Sequence, residues 1–436
     1  MALNLLDAND RAGAYPNSWY AATAEFLAPL PALQEDITAD VVIIGAGFTG
    51  LSAALHLAEA GRSVIVLEAQ RVGFGASGRN GGQLGSGQRV EQPDLEARHG
   101  MADARKLWDL GEEAKALVRD LIQRHDMPNV HLKPGVAFTA STHSDVKDLH
   151  HYADHMQRHY DYPLDVLTAE AAHHLCPSPD YKGAIVDWQA GHLHPLNFVL
   201  GLARAALKAG VQIFEQSRVT SLETAPYAKA TTEMGRVTAD HLILACNGYL
   251  GNLAPQVAAR VMPINNFIAA TEPLGDRANT VLTQDIAVAD SRFVVNYFRL
   301  SHDNRLLFGG GETYGYRFPS DIAALVRKPM SVIFPHLKDV QIDYAWGGTL
   351  AITMARLPYV TRLGSRALSA SGYSGHGVGT ATHAGMLMAK AIKSESDGFE
   401  TLSRLPTSPF PGGAHLRSPL LALAMTWYSL RDRLGL

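Results

Sequence analysis

Three glycine-rich stretches carry the residues whose types and spacing could do chemistry. The first is Gly45-Ala46-Gly47-Phe48-Thr49-Gly50, which follows the apolar run "DVVIIG" (40–45) and opens the amphipathic run "GLSAALHLAEAG" (50–61). A strand–turn–helix with this spacing binds a dinucleotide: Gly45 permits the tight turn, Gly47 the close approach of a pyrophosphate, Gly50 the packing of helix on strand. The helix start offers free N–H groups and the positive end of its dipole to phosphates. Glu68 closes a second apolar run, "SVIVLEA" (63–69), 68 − 50 = 18 residues after the last glycine. A carboxylate there accepts ribose hydroxyls and repels a 2′-phosphate, so NADP is disfavoured. FAD and NAD both satisfy this motif; its N-terminal place in a long chain favours FAD.

The second stretch, "GFGASGRNGG" (73–82), follows so closely that it must approach something else. Small residues let the backbone reach a planar ring without collision. The N–H groups of Ser77-Gly78-Arg79-Asn80-Gly81-Gly82 could bond flavin ring atoms, and Arg79 could meet the pyrophosphate or place charge near the ring. The third stretch is "GYSGHGVGT" (372–380), with a helix predicted to start near 377 to 380. A helix N-terminus aimed at a flavin would favour negative charge on it. His376 is the titratable group of this loop. Tyr297 and Arg299 alternate onto one face of the strand-like "VVNYFRL", and Trp346 either walls a cavity or fills core. His192 and His194 stand in a metal-like pair without a third ligand nearby, so a helix-entry role is expected and no metal is. The cysteines, Cys176 and Cys246, form no CxxC pair.

These residues must be positioned by two kinds of element. Parallel strands with helices are expected near 40–70, 195–248 and 366–392, and antiparallel strands near 130–140 and 262–311; "VHLKPGVAFTAS" (130–141) reads as a hairpin turning at Pro-Gly. The expected fold is α/β (α+β overall): a Rossmann-like FAD-binding domain with an interleaved substrate domain built on an antiparallel sheet. The boundaries are an N-terminal extension (1–35), FAD-binding segments at 36–90, 163–261 and 345–395, substrate-domain segments at 91–162 and 262–344, and a tail (396–436). The 436 residues are 47% hydrophobic and 18% charged, as in globular chains. A net charge of −4 exerts no general pull on nucleic acid or anionic membrane. The N-terminus lacks a signal-peptide pattern and no transmembrane run is present, so a cytoplasmic location is expected. The apolar-then-charged segment 417–436 is expected to cover a patch of its own fold rather than lie on a membrane.

"GFGASGRNGGQ" after "VLEA" resembles the D-amino-acid oxidase superfamily of FAD-dependent amine oxidoreductases, with sarcosine oxidase and glycine oxidase among its members. More narrowly the chain is similar to the γ-glutamylputrescine oxidase family. That likeness runs through "SWYAATA" (18–24), "AGHLHPLN" (190–197), "DNRLLFGGGETYG" (303–315), "YSGHGV" (373–378), "PFPGG" (409–413) and "YSLRDRLG" (428–435). The resemblance implies cofactor contacts from the residues of the first motif and from Glu68 and Ala69. It extends them to Ser77 through Gln83, to Val219 and Gly248, and to Gly375, His376, Gly377, Val378 and Thr380. It implies substrate contacts from His376, Tyr297, Arg299 and Trp346, with Arg299 as partner of a substrate carboxylate. The sarcosine oxidase branch anchors its flavin through a cysteine just before the C-terminal glycine loop; "LAITMARLPYV" (350–360) has none, which implies non-covalent FAD. That branch's oxygen-activating lysine is also missing, with Gly379 at its spacing, which leaves the oxygen-activating group open. The implied activity is oxidation of an aliphatic amine to aldehyde, ammonia and hydrogen peroxide, with molecular oxygen as partner. A second reading is a membrane-docked dehydrogenase of a cyclic imino acid such as pipecolate. A third, a flavin-binding module without activity, is disfavoured by the presence of both flavin loops.

Overall fold

A parallel sheet is built around strand Ile37–Ile44, in a computed structural model that describes residues 4–292 and 294–411. Val64–Leu67 and Arg236–Leu244 flank it in parallel, and Ala367–Ser371 and Gln212–Phe214 extend the two sides, also in parallel. Val41 to Ile44 and Val64 to Leu67 are buried without alternation, as expected of strands covered on both faces. Helices Phe48–Glu59, Pro195–Lys208 and Gly377–Ile392 contribute buried faces to the core on one side. The first and last of these touch backbone to backbone: a Cβ at Gly385 would stand 2.3 Å from the Thr49 carbonyl oxygen. The start of the first helix thus rests on the middle of the last, and the Thr49–Tyr373 hydrogen bond ties the first glycine motif to the third.

The second sheet runs in the order Ile342–Ile352, Met262–Thr271, Leu306–Thr313, Tyr297–Leu300, Ala287–Asp290, Lys133–Ala140, Gly183–His192 and Gln83–Leu84. Its pairs are antiparallel except Ala287–Asp290 against Lys133–Ala140. One face packs Phe267, Phe298, Phe308 and helix Ile322–Ile333 into a separate core. The other face presents Ile268, Tyr297, Leu307 and Trp346 to the core that holds the parallel sheet's helices. The two architectures are α/β and antiparallel, as expected.

Several boundaries fall elsewhere than the sequence reading put them. Strand Gly183–His192 and the pair Gln83–Leu84, read as FAD-domain segments, are hydrogen-bonded into the second sheet, and Ile342–Ile352 runs across the expected border at 344/345. Helix Met101–Arg124, read with the substrate domain, packs on Gly377–Ile392, with Ala114 against Gly379. Pro134-Gly135 is no hairpin turn: the strand continues through it with a register shift at Gly135, whose φ is +96°. Periodicity cannot separate a bulge from a turn when both use Pro and Gly. The segments "PFPGG" and 417–436 lie wholly or partly outside the described residues.

Candidate active site

The first motif forms as the spacing requires. Gly45 has φ +103°, and a Cβ on Gly50 would stand 1.9 Å from the Gly45 carbonyl oxygen. Gly47 caps helix Phe48–Glu59 without a side chain. Ala46 N–H is already taken, donating to Glu68 at 2.8 Å, and Phe48 N–H donates to Ser77 Oγ at 3.0 Å. Phe48 itself is buried against Phe198, a packing role. Thr49 Oγ1 lies 2.7 Å from Tyr373 Oη, which ties the first motif to the third. Beside this turn opens a cleft of about 570 Å³, lined among others by Gly45, Gly47, Glu68, Ala69, Val219 and Cys246. Burial raises the Glu68 carboxyl to about 7 despite the N–H bonds from Ala46 and Gln70. Cys246 is likewise pushed up by burial, to about 12.

The second motif is a 3-10 turn, Ala76–Gly78, braced from within. Asn80 donates to Ala76 and Ser77 carbonyls at 3.0 Å and accepts from Gly82 N–H at 2.8 Å. Gln83 donates to the Val288 carbonyl at 2.9 Å. Arg79 is engaged largely by protein. It is 3% exposed, donates to Phe74 O at 2.6 Å, to Gly347 O at 3.1 Å and to Asp10 at 2.8 Å, and lies over the Phe74 ring. Its guanidinium fastens the loop to the second sheet through the Gly347 carbonyl. Gly81 and Gly82 are needed for contacts with protein as well: their Cβ atoms would stand 2.6 Å from the Tyr297 ring and 2.1 Å from the Leu193 carbonyl oxygen.

The third motif turns through Gly372, Ser374 and Gly375, all at positive φ, into helix Gly377–Ile392. His376 is its N-cap, and no side chain caps the helix, whose first turn has no acidic residue. The N–H groups of Gly377, Val378 and Gly379 therefore have no intrahelical partner. Thr380 Oγ1 donates back to the His376 carbonyl at 2.6 Å. The His376 ring rests where a Cβ of Gly85 would stand 2.5 Å away. Burial, with Arg89 and Lys115 as neighbouring cations, lowers its pKa to about 4. Gly248 packs on the second sheet, where a Cβ would stand 3.2 Å from Leu350 O, while its neighbours Tyr249 and Leu250 line the cleft.

The remaining assignments divide. Tyr297 faces the flavin loop from the second sheet and donates to Asn266 Oδ1 at 2.5 Å. Arg299 shares that face, but its donors go to Gly81 O, Leu193 O and Tyr20 Oη at 3.2, 3.0 and 3.4 Å. It is spent on protein carbonyls and is not free for a substrate carboxylate. Trp346 is a core residue, 2% exposed, edge-on to Tyr20, and its indole N–H donates to Arg79 O at 3.0 Å. His194 caps helix Pro195–Lys208, its Nδ1 accepting from Asn197 N–H at 3.1 Å, and His192 Nε2 lies 3.3 Å from Asp285 O. Burial holds His192 down to about 3.

The sequence reading missed a buried network behind His376. Lys115 donates to Ser86 Oγ at 2.6 Å and Tyr162 Oη at 2.8 Å, and both hydroxyls donate to Asp187 at 2.5 and 2.9 Å. It also missed Asn266, Arg89, Glu312 and Arg356. The only sequence signal for Glu312 was the run Gly309-Gly310-Gly311 before it.

A glycine cradle opening a helix beside a cleft, a carboxylate next to that cradle and a second glycine turn opening an uncapped helix make a dinucleotide-dependent enzyme of the flavoprotein type. The chain matches the FAD dependent oxidoreductase family over residues 40–391 and belongs to it; FAD is its cofactor. It is 41% identical over 424 residues, 97% of this chain and 99% of the other, to "Gamma-glutamylputrescine oxidoreductase" of Escherichia coli K12. It is 27% identical to "Glycine oxidase" of Bacillus licheniformis over 81% of this chain and 92% of that one. Among solved structures, glycine oxidase from Geobacillus kaustophilus superposes with a TM-score of 0.71 at 21% identity, covering 85% of this chain and 99% of that one, a likeness of fold. The residues present fit FAD: glycines where a Cβ would fill the cradle, free N–H groups for phosphates, and Glu68 for a ribose.

Proposed function

We propose that this enzyme oxidises γ-glutamylputrescine, or a closely related aliphatic amine, at its terminal amine carbon. Nearly end-to-end similarity to a protein named for that substrate carries the reading. The C–N unit loses two electrons and two protons, one hydrogen leaving the carbon and one proton the nitrogen; the imine is hydrolysed by water to aldehyde and ammonia, and molecular oxygen takes the two electrons and two protons to become hydrogen peroxide. Bound FAD supplies the two-electron acceptor. The chain's own residues bind and orient. Gly47 and the helix behind it hold phosphate, and Glu68 accepts a ribose hydroxyl. The uncapped start of Gly377–Ile392 favours negative charge before it. Loop 77–83, stiffened by Asn80 and backed by Tyr297, sets how closely the cofactor can lie against the second sheet. Tyr297 stays protonated, because burial raises its pKa, and His376 is neutral near pH 7. No carboxylate or imidazole is assigned as base; the substrate amine enters unprotonated.

The cofactor is held non-covalently in this reading. Cys176 lies in the second sheet's core and Cys246 at the adenosine end of the cleft. Acid precipitation should release the flavin into the supernatant.

Anaerobic mixing of the yellow holoenzyme with γ-glutamylputrescine, putrescine and pipecolate tests the reaction. Bleaching of the flavin band by γ-glutamylputrescine, followed in air by one peroxide per aldehyde without detergent, is expected. Bleaching by pipecolate alone would transfer the protein to the imino-acid reading. Among the described residues no helix is long and apolar enough to cross a membrane.

A further inference from the structure

The second sheet contains an irregularity aimed at the candidate site. Along the pairing of Met262–Thr271 with Leu306–Thr313, Asn266 opposes Glu312 but Ile268 opposes Gly309. One residue on one strand, Phe267, faces two on the other, Gly310 and Gly311, and Gly311 has φ +82°. Side chains alternate strictly along a regular strand. Without the bulge, Glu312 would point with Phe267 and Phe308 into the sheet's own core; with it, Glu312 shares the face of Asn266, Tyr297 and Gly309. A bulge that re-aims one carboxylate beside a candidate active site is a built feature.

The carboxylate is half-buried and has charged neighbours. Tyr314 donates to Glu312 at 3.0 Å. Arg89, beyond the flavin loop, and Arg356, in the turn after Ile342–Ile352, bear on the same carboxylate and on each other electrostatically. Among the described residues neither guanidinium makes a hydrogen bond or ion pair. Arg89 is reached by solvent, yet enough chain surrounds it that burial lowers its pKa, as for a side chain lining a recess. Arg356 sits at φ +60°, a conformation few non-glycine residues adopt. Glu312 pairs across the sheet with Asn266, which accepts from Tyr297, and the Tyr297 ring backs Gly81 of the flavin loop, so the carboxylate lies on the sheet face that meets that loop. Two unpaired guanidinium groups around one carboxylate complement a ligand that carries both a carboxylate and an ammonium.

We propose that Arg89, Arg356 and Glu312 form a subsite for an α-amino-acid head, the arginines taking its carboxylate and Glu312 its ammonium. This rests on the reaction proposed above, whose substrate carries such a head at the end remote from the oxidised amine. It assigns to Arg89 and Arg356 the role that Arg299, occupied by Gly81 and Leu193, does not fill. Specificity then comes from recognition far from the reacting carbon, and a diamine without the head binds weakly.

The test uses holoenzyme and three ligands: γ-glutamylputrescine, N-acetylputrescine (the amine arm without the head) and γ-glutamylbutylamide (the head without the terminal amine). Binding of the last is read from the shift it causes in the flavin spectrum. In Arg89→Met and Arg356→Met the dissociation constants of both head-bearing ligands should rise on the order of ten- to a hundredfold, the range for a lost charge-assisted bond. The limiting rate of flavin bleaching by γ-glutamylputrescine should change by less than about threefold, and N-acetylputrescine should be unaffected. Glu312→Gln should weaken the head-bearing ligands and spare N-acetylputrescine. Equal weakening of all ligands, or of none, overturns the subsite while leaving the reaction standing. Wild-type enzyme that γ-glutamylputrescine fails to bleach overturns the reaction instead. The subsite then stands if γ-glutamylbutylamide binds wild type and is lost in the arginine variants, and falls if wild type does not bind it.

Discussion

Glu68 and His376 show how burial sets what a side chain can do. Glu68 holds its proton up to about 7 instead of 4.5 when no cofactor is present. The folded state therefore binds that proton more tightly than the unfolded chain. The stability this contributes is full below the ordinary carboxyl pKa and is lost as pH rises toward 7. A ribose hydroxyl donating to the carboxylate favours the charged form, so FAD binding should expel the proton. FAD affinity of the apoprotein, measured by flavin fluorescence quenching, should tighten from pH 5.5 to about 7.5 and then level. Glu68→Gln should bind more weakly and without this slope; an unchanged slope would clear Glu68 of contact with the cofactor. His376 is depressed to about 4 and is neutral through the working range. The rising limb of kcat/KM with pH should therefore belong to the substrate amine and persist in His376→Asn; its disappearance would make His376 the titrating group.

Between elements, loops 73–82 and 85–87 are held by neighbours rather than by their own sequence. Helix Met101–Arg124 comes so close that a Cβ on Gly111 would stand 2.2 Å from Gly87 O. From the same helix Lys115, 2% exposed, supports Ser86, Tyr162 and Asp187. Lys115→Met leaves the equally buried Asp187 without its compensating cation, a change that costs about 3 kcal/mol or more. Its Tm should fall by several degrees. Lys106→Met, which breaks an exposed pair with Asp103, should leave Tm within about 1 °C; similar losses in both would mean the network is not what holds the loop. The bulge at Gly311 belongs to this level too. Gly311→Val forces a β-branched residue into φ +82° against Leu325 at 3.3 Å. Weaker binding of head-bearing amines at an unchanged FAD content is expected. Loss of flavin instead would mean the bulge supports the cofactor loop.

In the whole molecule, the chain passes repeatedly between the two sheets, and the cofactor's cradle is made from three separated segments. A ligand that binds only the assembled form stabilises it by about 2.7 kcal/mol at a hundredfold excess over Kd. Thermal unfolding of the apoprotein should therefore shift upward with added FAD, progressively with concentration, as a single transition. Two transitions, only one of which moves, would show that the sheets unfold independently.

Where physics is local, reading the chain sufficed. The strand–glycine–helix unit at 40–61, the acid at 68 and the helix after 376 follow from periodicity, φ demands and dipoles that depend only on near neighbours. That made a dinucleotide-binding fold legible before any coordinates, and the second glycine loop with the family resemblance turned the expectation to FAD. Side-chain direction is not local. Arg299 and Trp346 stand in strand contexts that suit ligand contact, yet carbonyls brought in from distant segments take their donors. The Pro134-Gly135 and Gly310-Gly311 bulges look like turns until the partner strand is in place. Arg89 and Arg356 carry no motif at all, being 267 positions apart in the sequence. Only the folded chain brings them to bear on Glu312, because the interaction between charges depends on distances in space and not on separation along the sequence.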